Sequence, residues 1–167
     1  MRQRTLAATV TALVIVGAMS GAALAQNEHF VRASARLSGT NLVVSFKEAG
    51  LGDNQLISYE ATADATATYV CVNRGGANPS ASNKEEVSGP VSATGTFSSG
   101  KNGTISQSLT LMPPGPGSFS CPPGQDLAIA QVTYTNVAIT DTTNNVTESI
   151  PGTFSTGCLL PNVRGAC

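Results

Sequence analysis

Tryptophan is absent from this chain of 167 residues, histidine occurs once, and only 11% of residues are charged. The lone His29 stands three residues past an expected cleavage point after Ala25, where chain ends fray, and is read as solvated. Without it there is no Ser-His-Asp or Cys-His arrangement, and neither a His-Glu-x-x-His helix nor a Gly-x-Ser-x-Gly elbow is present. Carboxylates offer little more. Glu60 and Asp64 share the polar face of a strand amid threonines, while the adjacent Glu85 and Glu86 point to opposite faces of an extended chain. A sugar hydrolase would also present aromatic platforms, and here there are three tyrosines. No catalytic residue is assigned, no cofactor-binding pattern is found, and the expectation is a protein that is not an enzyme.

Long apolar runs are also missing, apart from one at the start. Met1-Arg2-Gln3-Arg4 is followed by an apolar stretch from about Leu6 to Met19 and by Ala23-Leu24-Ala25. A basic start, a short hydrophobic segment and small residues before Gln26 make residues 1–25 a secretory signal peptide, alanine-rich and bacterial in character. The stretch is shorter than the roughly 20 residues of a membrane span. Gln26 is no lipoprotein cysteine, and the tail carries no wall-sorting signal. The expected product is secreted and extracellular, released or held non-covalently at a surface, without membrane insertion.

Nine basic residues less Arg2 and Arg4 leave seven against ten acidic ones, a net charge of −3 after cleavage. The seven are scattered, so no basic patch exists to neutralise phosphates, and nucleic acid is excluded as a partner. Residues 26–167 suit a single domain with its own core.

That region alternates with period two and shows no helical period. Val31, Ala33, Ala35 and Leu37 share a face, Ser38-Gly39-Thr40-Asn41 turns, and Leu42, Val44 and Phe46 face inward on the return, with a loop predicted from Lys47 to Asn54. From Ile57 to Cys71 the alternation would extend about 50 Å at ~3.3 Å per residue, so a break is predicted near Asp64. Asn73 to Glu86 reads as a long exposed loop. Val91 to Phe97 and Ile105 to Leu111 read as a second hairpin. Prolines 113, 114, 116, 122 and 123 stiffen the connection that follows. Leu127 to Thr140 forms a strand whose parity shifts near Thr135-Asn136, predicting a bulge, and Val146 to Ile150 closes the set before an irregular tail. About eight strands at this spacing predict an all-β, antiparallel, immunoglobulin-like β-sandwich, with a closed β-barrel as the alternative.

Cys71, Cys121, Cys158 and Cys167 allow three pairings, and an oxidising compartment favours disulfides over metal ligation. Cys71 with Cys121 and Cys158 with Cys167 is the favoured set, bracing the proline-rich connection and the tail. Zinc spacing is lacking. Asp126, Asp141, Asn144 and Asn145 are explained by turns rather than calcium, so no metal site is assigned. The sequons Asn102-Gly103-Thr104 and Asn145-Val146-Thr147 are taken as accidental in a bacterial chain. Outward threonines such as Thr62, Thr66, Thr68, Thr133 and Thr135 suit exposed strands, and also a surface for self-association or a polymer.

The candidate contact residues lie on the two exposed segments: Asn73, Arg74 and Lys84 on the first, and Met112, Pro113, Pro116 and Phe119 on the second. The leading functional expectation is a binding or surface module acting through these loops on an extracellular protein or a cell-surface polymer. A protease inhibitor with a proline-stiffened loop is the alternative, and a carboxylate hydrolase comes third.

Overall fold

A computed structural model of the chain describes residues 27–73 and 81–167. The leader therefore lies outside the described residues, as does Arg74. Eight strands follow in order: β1 (His29–Ser38), β2 (Asn41–Ala49), β3 (Leu56–Asn73), β4 (Ala81–Ser98), β5 (Thr104–Leu111), β6 (Gln125–Asp141), β7 (Val146–Ile150) and β8 (Phe154–Ser155). All pairings are antiparallel. They form a small sheet ordered β1-β2-β5 and a large one ordered β4-β3-β6-β7, with β8 also on β6. The sheets do not close, so the architecture is the β-sandwich rather than the barrel. In immunoglobulin lettering the orders are A-B-E and C′-C-F-G, without a D strand.

Several local expectations are corrected. The second hairpin does not exist: β5 pairs with β2, while β4 pairs with β3, and the Ser99–Gly103 turn carries the chain from one sheet to the other. Alternation gives a strand's inward face but not its neighbour, and Val87, Val91, Ala93 and Phe97 do pack inward. β3 runs unbroken through Asp64 along all of its 18 residues. The irregularity sits on β6 instead, where Asn136 adopts φ 52° and its side-chain amide donates to Asp64 Oδ2 at 2.8 Å. The bulge is thus where the parity shift placed it. A register shift between Phe30 and Arg32 turns Val31 out to 52% exposure, and Phe30 takes the inward role against Phe46 and Tyr59. β2 continues through Glu48 to Ala49, where a loop was predicted. Of the loop predicted from Asn73 to Glu86, the described residues are strand: Asn73 ends β3, and Ala81 to Glu86, Lys84 and Glu85 among them, lie on β4.

The two sheets differ in length, and this organises the molecule. At ~3.3 Å per residue, the 18 residues of β3 reach about 60 Å and the nine of β2 about 30 Å. Over the shared half, Leu42, Val44, Phe46, Ile105, Leu109 and Leu111 of the small sheet pack on Ile57, Tyr59, Ala61, Val137 and Ile139 of the large one. Alanines at 61, 63, 65 and 67 leave room for close approach. Beyond Ala67 the large sheet overhangs, and irregular chain takes over from strands as its cover.

Candidate contact groove and the covers of the overhang

The inner face of the overhang is covered by the proline-rich strap, residues 112–124. Prolines cannot supply ladder donors, so the segment cannot act as a central strand and is held by other means. The Tyr69 hydroxyl donates to the Pro114 carbonyl at 2.7 Å, the Phe119 ring packs on the main core, and the Cys71–Cys121 disulfide ties the strap's far end to β3. Burial raises the Tyr69 pKa, so its hydroxyl stays protonated and available as a donor.

The outer face is covered by the tail. Thr156 and Leu159 donate backbone N–H groups to Val132 and Ala130 on the free side of β6, at 2.9 and 2.8 Å. The chain then crosses to β4, where the Arg164 carbonyl accepts from Ala81 N–H at 2.9 Å. Val70, Ala130 and Ala166 are fully buried in a second, small core, with Val72, Ala128, Leu160 and Val163 around them. The Cys158–Cys167 disulfide closes this tail into a loop. The favoured pairing is therefore the observed one: Cys71–Cys121 fastens the strap to the inner face of the overhang, and Cys158–Cys167 closes on itself the tail that covers the outer face. Two disulfides fit an oxidising, extracellular setting. Among the described residues no helix is long and apolar enough to cross a membrane.

Where the strap meets β4 there is a groove of about 480 Å³, lined by Glu85, Val87, Pro116, Gly117, Ser118, Phe119 and Ser120. Pro116 and Phe119 of the expected contact set are half-buried in its wall, and the backbone between them turns through a Phe119 N–H to Pro116 carbonyl bond of 3.0 Å. Glu85 stands cross-strand from Tyr69 on the face that the strap covers, yet is itself exposed, and no described residue forms an ion pair with it. The other expected residues do not converge here. Met112 is exposed ahead of the groove, Pro113 is half-buried, Lys84 pairs with Val70 toward the opposite face, and Asn73 ends β3. Gly117, with φ 59°, allows the turn that forms the groove wall, and a Cβ there would meet nothing.

A second cluster escaped the sequence reading. Glu48 follows Leu42, Val44 and Phe46 on the inward face of β2 and has no exposed surface. Ending β2 at Phe46 hid it; carrying the alternation two residues further places it inside. Tyr59 of β3 and Asp141 of β6, register neighbours on the large sheet, are buried with it. Burial pushes the Glu48 carboxyl up to about 7, the carboxylates of Asp141 and Glu28 add to that, and the Tyr59 hydroxyl and His29 oppose it. Tyr59 comes close enough to act on Glu48 electrostatically, but both Glu48 oxygens and the Tyr59 hydroxyl lack a partner in hydrogen-bond geometry. Asp141 is satisfied: its Oδ1 accepts from the backbone of Thr143 and Asn144, and its Oδ2 from the Asn144 amide. These bonds shape the β6–β7 turn, the role expected for Asp141 and Asn144. Among the described residues no group of three or more His, Cys, Asp or Glu side chains can hold a metal ion.

The outer face of the large sheet carries paired hydroxyls, Ser58 with Thr96, Thr66 with Ser88 and Thr140 with Thr147, at 2.9 to 3.0 Å. Glu60 and Asp64 lie on this same face, with Asp64 engaged by Asn136. Comparisons with protein-family models, with curated proteins and with solved structures each gave no match to this chain.

Proposed function

We propose that this chain is a secreted, non-enzymatic binding module whose contact site is the groove between β4 and the proline-rich strap, and that its partner is an extracellular protein presenting a basic side chain there. The observation that carries this reading is the Glu85 carboxylate, without an ion-pair partner among the described residues, set beside the Phe119 ring in a groove whose wall is fixed in advance. A carboxylate and an aromatic ring both attract an ammonium or guanidinium group. Proline content, the Tyr69–Pro114 hydrogen bond and the Cys71–Cys121 bridge hold the wall before any partner arrives, which reduces the entropy lost on binding. The net charge of −3 after leader removal favours a basic partner at long range.

The test is an NMR titration of the mature protein with the peptides Gly-Arg-Gly and Gly-Gln-Gly. Saturable shifts at Glu85, Val87 and Ser118 with the arginine peptide alone, lost in Glu85→Gln, are the expected result. Equal response to both peptides, or none, contradicts the proposal.

A further inference from the structure

Glu48 is a carboxyl group with no exposed surface and two unpartnered oxygens, at a junction of both sheets. An ionised carboxylate in that position carries a large uncompensated desolvation cost, so the position calls for something that removes its charge. A metal ion does not fit: Asp141, the neighbouring carboxylate, already accepts three hydrogen bonds from its turn. Among the described residues no lysine or arginine acts on Glu48, and His29 only partly opposes its charge. Of the elements packed around Glu48, β1 begins with His29 and is preceded by Glu28, β3 supplies Tyr59, and β6 supplies Asp141. β5 places Ile105 opposite Glu48 and holds no titratable residue along its length, and β4 meets this cluster through Gly95, the register partner of Tyr59, and Phe97, whose ring lies against Tyr59. β7 contributes only Glu148, exposed at the edge. The remaining ligand is a proton.

We propose that Glu48, Tyr59 and Asp141 form a proton-operated latch between the two sheets, closed when Glu48 is neutral and loosened when it ionises. With Glu48 protonated, the strand carrying it brings no charge to Asp141 across the sandwich. Loss of that proton to water leaves two carboxylates facing each other from opposite sheets, with only Tyr59 and His29 to offset them. The elements nearest the strain are the start of β1 and the β6–β7 turn. Covered but set at an end of the sandwich, Glu48 can exchange its proton through small openings of these elements.

The sign follows from the raised pKa. The folded state holds the Glu48 proton up to about pH 7, whereas an unfolded chain releases it near 4.5, so stability falls as pH rises through that window and levels off above it. Denaturant unfolding of the mature protein between pH 5 and pH 8 is the experiment. The folding constant is expected to drop by about tenfold or more in the wild type, and Glu48→Gln to flatten that slope. A flat wild-type profile, or an unchanged slope in Glu48→Gln, overturns the latch. Should the variant not fold, a carbon-13 NMR titration of the Glu48 carboxyl in the wild type decides the matter. A midpoint near 7 supports the proposal, and one near 4.5 overturns it.

Discussion

The two halves of this sandwich solve the same burial problem with different materials. In the shared half, a strand faces a strand: Phe46 meets Tyr59 at 4.5 Å between ring centroids, Leu109 and Leu111 fill the rows beside them, and no disulfide is involved. In the overhang, one sheet stands alone between two irregular covers, the strap fastened to β3 by one bridge and the tail closed on itself by the other and held to the sheet by backbone hydrogen bonds. Backbone that cannot join a ladder has few ways to satisfy its polar groups, and here it bonds to Tyr69, to the free side of β6 and to the start of β4. Facing sheets close one half; in the other, a paired sheet is closed over by irregular, disulfide-braced covers. By the chain-entropy estimate, closing about 50 residues with Cys71–Cys121 contributes ~4 kcal/mol, a large part of the 5–15 kcal/mol that holds a typical domain.

That contrast can be broken from either side. Phe46→Ala in the shared half is expected to cost about 3–5 kcal/mol, by removing a fully covered ring from the aromatic group around Tyr59, and to lower the protection of every strand together. Chemical denaturation with two spectroscopic probes checks this, because coincident curves mean a global loss. Replacing Cys71 and Cys121 together by serine is expected to cost about 4 kcal/mol by the same loop estimate, but with the overhang opening below the global transition. Non-coincident transitions are the signature. Tyr69→Phe removes only the hydroxyl that reaches Pro114 and is expected to cost about 1 kcal/mol, read as faster proteolysis within the strap while the shared half is unchanged.

Fold class, inward faces and both disulfides were legible in the sequence because each has a local signature: period two, turn residues and cysteine spacing. Pairing partners were not. The Val91–Phe97 and Ile105–Leu111 segments look like a hairpin over a short turn, yet their backbone partners are β3 and β2, a choice made by long-range packing. Val31 followed the alternation but a one-residue irregularity turned it outward, as happens whenever a bulge shifts parity. The candidate groove was half legible. Pro116 and Phe119 were readable from proline chemistry beside a cysteine, whereas Glu85 joins them only because β4 extends further toward Ala81 than its polar composition suggested. Glu48 was missed for the opposite reason, since a carboxylate on an inward position contradicts the rule that ends a strand at its last apolar residue.

Native-state hydrogen exchange on the oxidised protein and on the variant lacking Cys71 and Cys121 tests the central claim most directly. The amides of Tyr69 to Val72 and of Ala128 to Ala130 are expected to lose protection in the variant, with Val44, Phe46, Leu109 and Ile139 retaining theirs. Equal loss across both groups, or no loss in the first, would contradict a sandwich whose overhanging half depends on fastened covers.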